Sequence, residues 1–287
     1  MKKFFIILSV VIGLYFILLK PIDFSWLPFV NQETQSVITK EIEMIEIDVS
    51  SVSTAIIPES RKDLKADLDG KGKVMVKRHG DTVEVSVKRK WKWFDWFFFK
   101  DKAKLNIYIP EDYDRDMVIN LGSGNVKFSG HSKTKPMKLE ELILDIGSGN
   151  VELKNLSVQH FKHNGSSGNV NIDSLTTKTG SFDISSGSLH VKNYIGAIKA
   201  ELSSGNLYVQ MDKLIDSVDI KVSSGTVDLN LPTNADFTLN GKTSSGNIIC
   251  DFPITSKKLS NNHISGTHGS GKHHINLTVS SGNIHIY

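Results

Sequence analysis

The chain has one cysteine in 287 residues, Cys250, so no intramolecular disulfide holds it together. Its charges nearly cancel, leaving a dispersed net +3 at pH 7, which excludes the concentrated basic face of a nucleic-acid binder. No Ser/His/Asp constellation stands out from the abundant serines, and no clustered acid pair marks a glycosidase centre, so no catalytic residue is assigned. Long apolar runs are missing except at the N-terminus. There, Met1-Lys2-Lys3 precedes sixteen uncharged, mostly apolar residues from Phe4 to Leu19, and Lys20-Pro21 follows. No small-x-small cleavage site comes after Leu19 and no cysteine lies nearby, which argues against a removable leader and against lipoprotein processing.

What the chain has in abundance is one motif. Ser-Gly-Asn and its variants recur with their glycines at Gly124, Gly149, Gly168, Gly187, Gly205, Gly225, Gly246 and Gly282. The first seven are 25, 19, 19, 18, 20 and 21 residues apart, a period that means a repeat architecture. Aligned on the glycine, Leu121-Gly-Ser-Gly-Asn-Val-Lys-Phe128, Leu202-Ser-Ser-Gly-Asn-Leu-Tyr-Val209 and Val279-Ser-Ser-Gly-Asn-Ile-His-Ile286 show the unit. Apolar and polar residues alternate on both sides of a turn-forming core, so each repeat reads as strand, tight corner, strand. No helix-length stretch interrupts a repeat, which excludes a leucine-rich horseshoe. The fold expected is an all-β, single-stranded β-solenoid. Its handedness is left open, with right-handed favoured.

Parity places Val126/Phe128, Val151/Leu153, Val170/Ile172, Leu189/Val191, Leu207/Val209, Val227/Leu229, Ile248/Cys250 and Ile284/Ile286 on one inward face. Cys250 is therefore expected to be an inert core residue. Asn125, Asn150, Asn169, Asn206, Asn247 and Asn283 are expected to stack into an amide ladder at the corner. Four organisational segments follow: a transmembrane signal anchor at 1–20, a membrane-proximal linker at 21–40, a β-rich cap at 41–118, and the solenoid repeats at 119–287. The anchor run spans roughly 24 Å as a helix, with Trp26, Leu27 and Phe29 following as interface residues. Its leading lysines put the N-terminus in the cytoplasm and the solenoid outside. Within the cap, Val49-Ser-Ser-Val-Ser53 stands where Ser-Gly-Asn would be, as a degenerate first repeat.

Three surface features are candidates for function. Between two strands of the cap, Trp91, Trp93, Phe94, Trp96, Phe97, Phe98 and Phe99 crowd nine positions flanked by lysines. This hairpin tip plugs the open end of the coil, enters a bilayer interface with anionic headgroups, or meets a protein partner. The second feature is an outward column four residues before each glycine: Asn120, Asp145, Asn164, Asp183, Glu201, then Lys221, Lys242 and Thr278. Of these, Asp145, Asn164, Asp183 and Glu201 suit gripping sugar hydroxyls or a hard cation, the plainer reading being a solvated face. The third is a C-terminal group of histidines, His263, His268, His273, His274 and His285, with spacing too loose for a metal site and the look of an irregular last rung. Gly266-Thr-His-Gly-Ser-Gly271-Lys272-His273 has P-loop spacing. However, a histidine replaces the hydroxyl residue and an alternating strand follows in place of a helix, so no cofactor is expected.

The portion from about residue 41 to 287 resembles the bacterial putative-adhesin family of β-solenoids, nearest to its LiaG-like members in Bacillus-type bacteria. The resemblance is carried by the Ser-Gly-Asn repeats, by Leu105-Asn-Ile-Tyr-Ile-Pro110 leading into Leu121-Gly-Ser-Gly-Asn125, by the basic-aromatic tip, and by the ending Gly269 to Asn283. It implies a non-enzymatic envelope protein, sometimes found with envelope-stress systems, and brings no catalytic residues. The expected partners are the membrane and an envelope glycan or a membrane protein. The alternatives are an interaction module of a stress-response system and a polysaccharide-acting enzyme using the acidic column.

Overall fold

Each Ser-Gly corner sits directly on the one before it, with the backbone ladder running unbroken around the bend. The computed structural model describes residues 32–38, 41–88, 103–260 and 262–287. In the rung that starts at Asn150, residues 150–154, 156–158 and 160–165 each pair in parallel with the next rung, so the coil has three sides. The simpler strand-corner-strand expectation missed the second bend. There, Asn155, Ser174 and Asn193 stack with φ of 53°, 67° and 53°, a left-handed conformation that short polar side chains tolerate.

The N-terminal part supplies β1 (Gln32–Ile38), β2 (Met44–Val49), β3 (Val52–Glu59), β4 (Asp63–Asp69), β5 (Lys73–His79), β6 (Thr82–Lys88), β7 (Lys104–Pro110), β8 (Asp116–Leu121) and β9 (Gly124–Ser129). β2 lies between β6 and β8, and β3 between β7 and β9, all in parallel. The first rung in sequence is thus the second in space. Val49 registers with Leu121 and Val52 with Gly124, so the degenerate corner aligns as its residues suggested. β5 closes one sheet antiparallel to β6, while β4 and then β1 close the other beyond β7. β1 and β5 lie against each other at this end. Gln32–Ile38, expected as linker, is therefore an edge strand of the cap. The anchor at 1–20 and the aromatic residues 91–99 lie outside the described residues. The two strands flanking those aromatics are not a hairpin: β6 pairs with β2 and β5, and β7 pairs with β3 and β4, in different sheets.

The repeats continue through β10 (Met137–Ile146), β11 (Asn150–Gly165), β12 (Asn169–Ile184), β13 (Ser188–Leu202), β14 (Asn206–Lys213), β15 (Val218–Val222) and β16 (Thr226–Asn230). The remaining strands are β17 (Phe237–Thr243), β18 (Asn247–Cys250), β19 (Thr255–Ser260), β20 (His263–His268), β21 (His273–Val279) and β22 (Asn283–Ile286). β21 inserts between β15 and β17, and β22 between β16 and β18. The C-terminal segment is therefore a regular interior rung, not an irregular last one. Ile275, Leu277, Val279, Ile284 and Ile286 are all buried. The antiparallel β19–β20 pair continues the sheet past β17 and closes the coil there. Cys250 sits on the outermost rung, half-buried and packed against the core edge, so its inward parity holds but full burial does not.

Only Gly124 and Gly149 among the motif glycines have positive φ, at 106° and 122°. The others are glycine because of close stacking. A Cβ on Gly187, Gly205, Gly225, Gly246 or Gly282 would lie under 3.0 Å from the carbonyl oxygen of the neighbouring rung's glycine. The amide ladder is partial. Asn150 Nδ2 donates to Asn125 Oδ1 at 3.1 Å and Asn169 Nδ2 to Asn150 Oδ1 at 3.3 Å. Ser188 and Thr226 then occupy ladder positions and separate Asn206 from the rest.

Gly225→Ala is expected to destabilise the fold by about 3 kcal/mol or more, since backbone must shift on two rungs. Gly80→Ala, in a turn with φ 63° and nothing within 4 Å, is expected to cost only about 1 kcal/mol. Urea unfolding of both variants is the check, and equal midpoints would refute the stacking explanation.

Candidate functional site

Parallel register turns single outward positions into straight files. One file runs Asp48, Asn120, Asp145, Asn164, Asp183, Glu201, Lys221, Thr278, Lys242, with Thr278 moved up by the inserted rung. Asp48, Asn120, Asp145, Asn164 and Asp183 line an open groove of about 510 Å³. Gly122 and Gly147 form part of its wall, where the next rungs carry Ser166 and Ser185. Missing side chains at those two positions widen the floor beside the column.

Three of the four column candidates, Asp145, Asn164 and Asp183, are brought into this groove. Glu201 lies beyond its lining, with its carboxylate 3.1 Å from Lys221 Nζ. Asp48 was not assigned from sequence. Its signal is the alignment of Val52 with Gly124, which puts Asp48 four residues before a corner that has no glycine. Amides alternate with acids, so neighbouring carboxylates in the groove stand two strand spacings apart, about 10 Å. Within the groove lining no two carboxylates of this file face each other across one ladder step, whereas just beyond it Asp183 registers with Glu201. Asn164 Nδ2 donates to Asp145 Oδ1, and Asn120 Nδ2 to Glu46 Oε1 at 3.0 Å. The result is a rigid file of acceptors and amide donors at strand spacing, chemistry suited to the hydroxyls of an extended polymer.

Under the groove floor sits His163. It points inward, is 2% exposed, and neither ring nitrogen has a hydrogen-bond partner. Its ring fills the space left at Gly165, where a Cβ would come 2.5 Å from His163 Cε1. Burial pushes the imidazole down to about 4.

The neighbouring sheet bears a second groove of about 590 Å³ lined by Glu152, Lys154, Asn171, Asp173, His190 and Lys192. Its charges largely satisfy one another: Glu152 meets Lys154 at 2.5 Å and Lys127 at 3.1 Å, which holds its carboxyl below the usual range. His190 stacks on Tyr208 with centroids 4.2 Å apart.

The phosphate-loop resemblance at 266–273 has a physical resolution. Asp236 accepts hydrogen bonds from the Gly271 N–H at 2.5 Å, the Lys272 N–H at 2.9 Å and the Ser270 hydroxyl at 2.6 Å. Those bonds hold its carboxyl below the usual range. An anion from elsewhere in the chain, the Asp236 carboxylate just before β17, fills the nest that a phosphate would need. The C-terminal histidines are dispersed: His285 pairs with Asp251 at 2.8 Å and His268 Nδ1 meets the Pro253 carbonyl at 2.8 Å. Among the described residues, no three His, Cys, Asp or Glu side chains form a metal-holding group.

The aromatic candidates Trp91 to Phe99 lie outside the described residues, but their attachment points do not. β6 ends at Lys88 and β7 begins at Lys104, where the adjacent rung turns its corner through Ser50 and Ser51. Across the capped sheet, Gln32 registers with Asp69, Asp69 with Lys104, and Lys104 with Ser53. The chain leading from the N-terminus and the chain bearing the aromatics therefore meet the cap at one corner.

Stacked parallel rungs, glycine corners and closing antiparallel strands define a solenoid-like all-β protein. Residues 42–287 match the family model described as Toastrack DUF4097, and the chain belongs to that family. The fold is shared with a putative adhesin from Bacteroides fragilis NCTC 9343, at TM-score 0.51 and 18% identity over 91% of this chain and 99% of that one. A putative adhesin from Parabacteroides merdae ATCC 43184 is similar at TM-score 0.43 and 12% identity, over 89% and 96% of the two chains. A putative lipid binding protein from Parabacteroides distasonis ATCC 8503 is similar at TM-score 0.42 and 15% identity, over 90% and 97%. No curated protein matches the chain. The adhesin-like family resemblance read from the repeats is borne out.

His163 makes stability pH-dependent with a definite sign. Its folded value lies below the ordinary 6.5, so the unfolded chain takes up the proton first and acid favours unfolding. Stability is expected to fall by about 3 kcal/mol as pH drops from 6.5 to 4, then level off for this group. His163→Leu is expected to flatten that slope and to add about 1 kcal/mol at pH 7 by removing unsatisfied buried nitrogens. Denaturant midpoints across pH 4 to 7 test both, and an unchanged slope in the variant would refute them.

Proposed function

We propose that this protein is a single-pass, membrane-anchored, extracytoplasmic binding or scaffold protein without enzymatic activity. Residues 1–20 form the anchor with the N-terminus in the cytoplasm, and the solenoid stands outside the cell membrane. The observation that carries the reading is the shared corner. Gln32, which follows the anchor and its connecting segment, is one strand away from Lys104, which ends the aromatic segment, a separation of about 10 Å. An anchor in the bilayer thus holds Trp91, Trp93, Phe94, Trp96, Phe97, Phe98 and Phe99 near the interface where such residues partition favourably. That end of the coil is already closed by β1, β4 and β5, which removes the need for an aromatic plug. The acid-amide groove, which starts at Asp48 one rung from the cap strands and runs away from them, offers the surface for an envelope glycan.

Three of the four tryptophans lie in the aromatic segment, so Trp26→Phe leaves a reporter confined to it. In proteoliposomes with brominated lipids, this variant is expected to lose at least half its emission, and unquenched emission would refute interface contact. In intact cells a C-terminal tag is expected in the membrane fraction and open to external protease. Asp145, Asp183 and Glu201 changed together to Ala are expected to leave stability within about 1 kcal/mol, because all three project from the coil. The same change is expected to abolish retention on cell-wall polysaccharide, and unaltered retention would remove the groove from the reading.

A further inference from the structure

The outer face of the cap carries an unfavourable arrangement. Lys73 and Lys88 are direct partners across the antiparallel β5–β6 ladder, and both are exposed. Val74 and Val87 alternate with them toward the core side, so both ammonium groups project outward. Like charges directly opposite destabilise a strand pair; the next outward pair, Met75 and Ser86, is uncharged, and only the one after it balances, with Lys77 facing Glu84. The exposed Lys104 opens β7 at the same corner. Asp69 opposite Lys104, and Asp48 on the strand beside β6, are the nearest carboxylates by register, and Asp48 belongs to the groove lining. Positive charge is in excess at this corner.

We infer that Lys73, Lys88 and Lys104 form a docking surface for the anionic lipid headgroups of the membrane that holds the chain's own anchor, so that the coil sits on the bilayer by its capped end. The inference rests on the anchoring reading above and adds the lipid class and the orientation. Chain length supports it. Residues 21–31 separate the anchor from Gln32, and Gln32 registers through Asp69 with Lys104. Eleven residues reach at most about 40 Å when extended, and a flexible chain of that length averages roughly 20 Å. The corner is thereby kept at millimolar effective concentration over the headgroups. Each lysine near an anionic surface contributes about a fivefold preference, so three together favour the docked state by about 100-fold. At high ionic strength the screening length shrinks to a few ångströms and the preference is lost. Docking by this end leaves the far part of the groove, at Asn164 and Asp183, directed away from the membrane.

The test uses the full-length chain with Cys250→Ser and Ser86→Cys, labelled with a fluorophore beside Lys88 and reconstituted into vesicles carrying headgroup quencher. One set contains phosphatidylglycerol and phosphatidylcholine at about a 3:7 ratio, and the other phosphatidylcholine alone. Quenching at low salt is expected to be at least threefold greater in the anionic vesicles and to vanish at roughly 0.5 M salt. Lys73→Gln, Lys88→Gln and Lys104→Gln together are expected to abolish the difference while the protein still floats with the vesicles and melts cooperatively. Equal quenching in both lipids, or a difference untouched by the three changes, would overturn the docking alone. Failure to float with either vesicle would overturn the anchoring reading and the docking with it. A quenching difference that persists at high salt would assign the contact to a non-electrostatic partner and overturn the inference.

Discussion

The structure depends on how closely one corner can approach the next. Strands in a ladder stand about 4.8 Å apart, and at the bend the path of one rung passes almost over the glycine of its neighbour. A Cβ at Gly225 or Gly282 would overlap the carbonyl oxygen beneath it. Where glycine is present, the ladder continues through the bend: the Ser224 N–H reaches the Ser203 carbonyl at 2.9 Å, and the Asn283 N–H the Gly225 carbonyl at 3.0 Å. The corner polar groups are thereby satisfied and the inner apolar files remain in register from rung to rung.

That constraint also organises the surface. Because no rung can slip relative to the next, an outward position becomes a file of fixed spacing. The groove is the place where one file alternates acid and amide and where Gly122 and Gly147 withhold side chains from its wall. The groove ends at Asp183, and further along the same file turns basic at Lys221 and Lys242. Polar groups off this file mostly find partners within the protein, as Asp236 does in the 269–272 loop and Glu152 does between two lysines. His163 is an exception in the core, as is Thr54, whose buried Oγ1 also lacks a partner. His163 is tolerated because Gly165 gives its ring room, at the expense of two nitrogens without partners.

Much of this was legible beforehand. The inward pairs, the corner glycines and the alignment of Val49-Ser-Ser-Val52 with a true corner all follow from period and parity. The ends were less so. Each end seals itself with a rung that is out of chain order, β2 and β3 inside β6 and β7, and β21 and β22 inside β17 and β18. A repeat pattern states that two rungs are alike and leaves open which of them touch. For that reason the C-terminal rung read as an irregular ending, the aromatic segment read as a hairpin, and Asp48 went unassigned beside a corner that lacks glycine.

Local chemistry was therefore determined by the sequence alone: which residues face inward, where the glycine corner falls, why glycine stands there, and which outward residues fall in file. The tertiary structure alone decided the order of the rungs, the third side of the coil, and the meeting of Gln32 and Lys104 at one corner of the cap. The physical reason lies in the range of the interactions. Alternation and turn conformation act over a few residues. Every rung, however, presents the same backbone edges, so the choice among equivalent neighbours depends on how connections tens of residues long close the two ends of the core.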